Sequence, residues 1–138
     1  MSAYSKIKCQ FRDKDTLVTA LKDLGYSPSL YDLSLQLEDY HGRSRPERAE
    51  IIIPRSQLAP SSNDIGFAKQ SDGTYLAIIS QYDQHVSFNP AKLEKLKLQY
   101  NLVHAKKIAR QQGMKLVSTR STEKNGKMNV LYVFEPRQ

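Results

Sequence analysis

Tryptophan is absent from this 138-residue chain, cysteine occurs once and glycine only six times. With Cys9 alone, no internal disulfide can form, and a reducing, cytosol-like compartment fits. No apolar run approaches the ~20 residues that a membrane-crossing helix requires. The opening Met1-Ser2-Ala3-Tyr4-Ser5-Lys6 leads straight into a strand-like stretch, with no apolar leader. The glycines stand singly at turns, so none forms a loop with phosphate-binding spacing. His41, His85 and His104 lie far apart, each without a neighbouring cysteine or a second histidine at zinc-site spacing. Disulfide scaffolds, membrane helices, P-loops and zinc modules are therefore excluded as readings. A cytoplasmic protein with no cofactor is expected.

What is present is an ordinary globular composition, 39% apolar and 25% charged. The length is that of one domain, 1–138, which can bury about 70% of its unfolded surface without a staple. The net charge of +7 is unevenly placed. Residues 1–88 hold 10 Lys/Arg against 11 Asp/Glu, and residues 89–138 hold 11 against 3. A field confined to the C-terminal third points to an anionic partner, whether nucleic acid, an anionic surface or an acidic protein.

Periodicity predicts the elements. Ile7, Cys9 and Phe11 alternate with polar residues as one face of a strand. Asp13 can cap a helix carrying Leu17, Val18, Leu21 and Leu24, which Gly25 stops and Pro28 prevents from continuing. Tyr31, Leu33, Leu35 and Leu37 read as the inward face of a second strand. Residues 41–47 read as a polar, arginine-rich loop and residues 49–53 as a third strand, cut off by Pro54. A surface loop at 57–63 precedes a short strand marked by Ile65 and Phe67. Asp72-Gly73 then turns the chain into residues 74–79, apolar on both faces and hence a central strand. Asn89 can cap a long helix, with Pro90 in its first turn and Gly113 as its stop. Residues 115–122 and 127–135 form a closing hairpin around Asn125-Gly126. The order β-α-β-β-β-β-α-β-β predicts a two-layer α+β fold, a mainly antiparallel sheet with both helices on one face.

Several of these segments resemble a known family: Tyr4-Ser5-Lys6-Ile7-Lys8, the helix from Leu17 to Gly25-Tyr26, and Asn63-Asp64-Ile65-Gly66-Phe67 with Asp72-Gly73-Thr74-Tyr75. The likeness continues through the helix ending Gln112-Gly113-Met114 and the final hairpin. The family is the hypothetical chloroplast reading frame thirty-five family of algal plastids and cyanobacteria, a domain of unknown function. The chain departs from it in lacking tryptophan, in a longer loop at 56–63 and in its basic C-terminal third, and so looks like a divergent member, of host or viral origin. The resemblance implies an organism with oxygenic photosynthesis, or its virus, and a cytoplasmic or stromal setting. It brings no activity, cofactor or catalytic residue.

The residues themselves give no positive reason for an enzyme. Cys9 faces inward on a strand, where a thiol acts as a small hydrophobe and lacks the lowered pKa and aligned base of a nucleophile. Asp13 and Asp15 are explained by capping and the helix dipole. Glu38-Asp39 ends a strand, where a solvated turn is the default against an acid/base or metal role. His104 fits the edge of the core and His41 a turn. In the loop, Arg43, Arg45 and Arg48 read as solvated charges balanced by Glu47 and Glu50.

Two features stand above background. Lys92, Lys95, Lys106 and Arg110 fall in one stripe of the second helix, and Lys115, Arg120, Lys124 and Lys127 follow on the hairpin. That surface is either a solvated face or a grip on an anionic partner. The same helix carries two apolar stripes: Leu93, Leu96, Tyr100 and Val103 on one side, Leu98, Leu102, Ala105 and Ala109 on the other. The second stripe is covered by the first helix, by a loop or by a partner subunit. The leading expectation is a non-enzymatic accessory protein that docks to a protein partner or to itself. The alternative is a nucleic-acid-binding protein using the basic helix and hairpin. A small-molecule site between helices and sheet would need a pocket lined by Tyr100 and His104.

Overall fold

The computed structural model describes residues 3–138; Met1 and Ser2, part of the opening read as leaderless, lie outside them. Seven strands and two α-helices are described: β1 (Tyr4–Phe11), α1 (Lys14–Asp23), β2 (Ser29–Glu38), β3 (Ser44–Ile53), β4 (Ile65–Lys69), β5 (Tyr75–Ser80), α2 (Pro90–Gln111), β6 (Met114–Lys124) and β7 (Lys127–Pro136). The fold is α+β with wholly antiparallel pairing, as the order of elements predicts. Five strands form one sheet, in the order β1-β5-β4-β3-β2, while β6 and β7 form a ribbon of their own. The chain divides into two compact units, one running to Tyr100 and the other spanning Asn101–Gln138, so the division falls inside α2.

In the first unit, the expected caps set the helix ends. Asp13 Oδ2 accepts the Thr16 amide at 3.0 Å, and Gly25 takes φ +95°, a left-handed stop open to glycine without strain. Leu17, Val18, Ala20 and Leu21 are buried from α1, and Leu93, Leu96 and Tyr100 from the first half of α2. The Phe11 ring meets Tyr100 at 5.0 Å and Phe67 at 6.2 Å, tying α2 to β1 and β4. The Tyr100 hydroxyl accepts both the Arg12 and Asp13 amides at 3.0 Å, which joins α2 to the turn that starts α1. A second cluster, Leu37, Ala49, Ile52 and Ile78, is flanked by Tyr4, Tyr31, Ala68 and Leu76. At Gly66 the chains approach so closely that a Cβ would stand 2.7 Å from that of Ala49.

The strand containing Leu33 departs from its alternation. Leu30 pairs with Ile51 and Leu35 with Ala49, so five steps along β2 match two along β3. The surplus bulges out of the ladder of this edge strand, and Leu33 is 85% exposed, while Leu37 alone of the expected face is buried. The arginine-rich loop also needs correcting. Strand β3 begins at Ser44 and takes in Arg45 and Arg48, leaving only a short turn at 39–43. There the buried Asp39 Oδ1 accepts the His41 and Arg43 amides at 3.0 Å, and its Oδ2 faces Arg43 at 3.5 Å and Arg45 at 3.9 Å. The turn is held by a carboxylate and is not a loose, solvated loop.

Candidate binding surface

Two polar arrangements in the first unit have the density of an active site, and both are explained by the fold. Asn63, Ser80 and Asp83 are buried beside one another. Asp83 Oδ2 accepts the Asn63 amide at 2.9 Å and the Ser80 hydroxyl at 2.7 Å, while Asn63 Oδ1 accepts the Tyr40 amide at 2.9 Å. Asp64 Oδ1 and Oδ2 accept the Arg55 and Glu38 amides, both at 2.8 Å. The Ser62 and Ser87 hydroxyls hydrogen-bond to one another. Asn63-Asp64 thus fastens the last residue of β2, the turn that follows it and the backbone at Arg55, supplying acceptors to amides that would otherwise be buried without one. Asp83 Oδ1 is buried with no hydrogen-bond partner among the described residues.

Titration follows these environments. Burial opposes ionisation of Asp39, but the Arg43 and His41 amides and the Arg43 charge outweigh it and hold the carboxyl below its ordinary value. Burial pushes the Cys9 thiol up despite Lys97, which is the opposite of nucleophile activation. Tyr4, buried near the Asp64 and Asp83 charges, is raised well above the ordinary phenol range. His104 is exposed on α2, not at the edge of the core, and the hollow beside Cys9 is lined by neither His104 nor Tyr100. Among the described residues, no group of three or more His, Cys, Asp or Glu could hold a metal ion.

The candidate residues of α2 divide between the units. Lys92 and Lys95 lie in the first, where the Lys92 ammonium donates to the Ser87 carbonyl at 3.1 Å. Lys106, Arg110, Lys115 and Arg120 lie in the second, all exposed. Of the second apolar stripe, Leu98, Leu102 and Ala105 are half-buried and Ala109 is buried. A more open apolar surface is found on the ribbon. Asn125 and Gly126 both take positive φ, 53° and 75°, as the Asn-Gly turn requires, and ten residue pairs bridge β6 and β7. Neither strand has a buried residue. Val130, Tyr132 and Phe134 are half-buried on one side, whereas Leu131 and Val133 stand 58% and 41% exposed on the other. Leu131 faces Arg120 across the ribbon and Val133 faces Ser118; Val117 and Met128 are open as well. The second unit carries eight Lys/Arg against two Asp/Glu. Periodicity located the ribbon, but its exposure carries no sequence signal, because alternation of this kind normally marks a covered strand.

Taken together, the fold and surface define an α+β protein made of a well-filled sheet-and-helix unit and a basic, uncovered β-ribbon unit. Residues 20–131 match the family model described as protein of unknown function (DUF1257), and the chain belongs to that family. No curated protein and no solved structure matches it. Among the described residues, no helix is long and apolar enough to cross a membrane.

Proposed function

We propose that this is a non-enzymatic accessory protein that docks through its β6–β7 ribbon to an acidic protein partner. The observation carrying the reading is that Val117, Met128, Leu131 and Val133 lie open on a ribbon whose unit has a net charge of +6. A two-stranded ribbon is marginal in water on its own and gains most from a partner that covers it. Its open side chains are aliphatic, while its aromatic residues Tyr132 and Phe134 are half-buried; a single-stranded nucleic acid would instead call for exposed stacking rings. Like charge on two ribbons opposes pairing of one copy with another. For the setting, the family resemblance supports a photosynthetic organism or its virus, and a cytoplasmic or stromal compartment.

The test is photo-crosslinking from a reactive residue placed at position 131, with position 33 on β2 as control. A nuclease-resistant adduct to an acidic protein at 131 alone, lost in an Arg120→Glu/Lys124→Glu variant, is expected. A nuclease-sensitive complex with linear loss of log affinity against log salt would move the assignment to nucleic acid. Equal adducts at 131 and 33 would refute a ribbon-specific interface.

A further inference from the structure

At the foot of the ribbon, four cations share one hollow. A cavity of about 180 Å³ is lined by Lys106, Arg110, Met114, Lys115, Leu116 and Arg137, with no carboxylate in its wall. Lys106 and Arg110 are four apart and so share a face of α2. The chain reverses at Gly113, φ +74°, which brings in Lys115, and the end of β7 returns Arg137 to the same place. Arg137 is anchored: its amide donates to the Gly113 carbonyl at 2.7 Å and its Nε to the Met114 carbonyl at 3.1 Å. That fixes the guanidinium while its Nη nitrogens make no hydrogen bond among the described residues. Glu135 lies opposite Lys115 in register, and no ion pair between them is found among the described residues.

Compensation of the helix dipole is the competing explanation, because α2 ends here and cations favour a helix C-terminus. The last-turn carbonyls of Ile108, Ala109 and Arg110 already accept the Gln112 and Gly113 amides. Half a unit of negative charge also calls for one cation, which Arg110 supplies, and Lys115 and Arg137 arrive from the ribbon instead. Four like charges around one hollow repel one another unless an anion joins them. From this geometry we infer a binding site for a phosphate group, as inorganic phosphate or a small phosphomonoester. The guanidinium groups of Arg110 and Arg137 present paired N–H donors, and Lys106 and Lys115 add point charges.

The inference is independent of protein docking at the ribbon. It is tested by following backbone amides in NMR during titration with inorganic phosphate, then with adenosine monophosphate, with chloride at matched ionic strength as the control. Saturable shifts confined to residues 106–116 and 137 are expected, in the low-millimolar range. Lys106→Gln/Arg110→Gln, both at exposed helix positions, should weaken binding at least tenfold, while Lys92→Gln/Lys95→Gln should leave it unchanged. Arg137→Lys, which keeps the charge but loses the fork, should weaken it several-fold. Leu131→Asp should leave phosphate binding intact even if it abolishes docking, so the two proposals fail separately. Equal shifts with chloride, or no saturation, would reduce the hollow to a screened basic face and overturn the site. Binding of an oligonucleotide lacking a terminal phosphate, with none of phosphate or adenosine monophosphate, would overturn it in favour of backbone contacts.

Discussion

The two units solve the problem of holding a β-sheet in opposite ways. Of the 22 buried apolar residues among those described, 21 lie in the unit that ends at Tyr100 and one, Ala109, in the unit that follows. Each large buried side chain contributes about 1.5–3 kcal/mol, so the first unit has its own source of stability and the second has little beyond its turn and ladder. The first unit also buries Asn63, Asp64, Ser80 and Asp83, and it has nearly balanced charge, 13 Lys/Arg against 12 Asp/Glu. The second unit is basic, and no residue of its ribbon is buried. One sheet has a filled core and an exposed edge at Leu30, Leu33 and Leu35, whereas the other has no buried side chain.

If that contrast holds, the largest loss should follow from Asp83→Ala. It leaves the Asn63 amide and the Ser80 hydroxyl buried with no acceptor at Asp83, and should cost roughly 3 kcal/mol in urea unfolding. A cost near zero would mean that the polar cluster is not a fastening. Gly66→Ala comes next, at about 2 kcal/mol, because the new methyl has only the rigid Ala49 Cβ and Leu37 to displace. Removing the α1 cap with Asp13→Ala should cost about 1 kcal/mol.

Acid should act on the same unit. Asp39 has a folded pKa below its ordinary value of about 3.9, so its contribution is complete above that pH. The contribution is lost as pH falls through the lowered folded value, so loosening of the 39–43 turn should begin below about pH 4. Chemical shifts of Arg43 and Arg45 that titrate in the neutral range instead would contradict this assignment.

The smallest effect is expected on the ribbon. Leu131→Ser should change stability by less than about 0.5 kcal/mol, because the residue is open, yet it should weaken partner docking. A large loss of stability there would erase the contrast between the units.

Much of the fold was legible in local chemistry. Asp13, Gly25, Asn89, Gly113 and Asn125-Gly126 mark element ends through caps and positive φ, which depend on a few neighbouring residues. The interior place of β5, between β1 and β4, followed from a strand apolar on both faces. Leu33 was misread because alternation cannot register a bulge, which depends on how many residues the partner strand supplies. The arginines of 43–48 were misread because Asp39, the acid that orders Arg43 and Arg45, acts from the end of another strand. Of the basic residues, sequence identified Lys106, Arg110 and Lys115 but not Arg137, which joins them only when the ribbon brings the end of the chain back to Gly113.

By itself, then, the sequence determined the order of strands and helices, their caps and turns, and the concentration of positive charge after residue 88. Those properties follow from steric preference, hydrogen bonding within a few residues, and simple addition of charge. Tertiary structure decided which apolar faces are filled, that β6 and β7 pair only with each other, and which cations share a hollow. Burial and proximity are properties of residues distant in the chain, and only the folded backbone sets the distances between them.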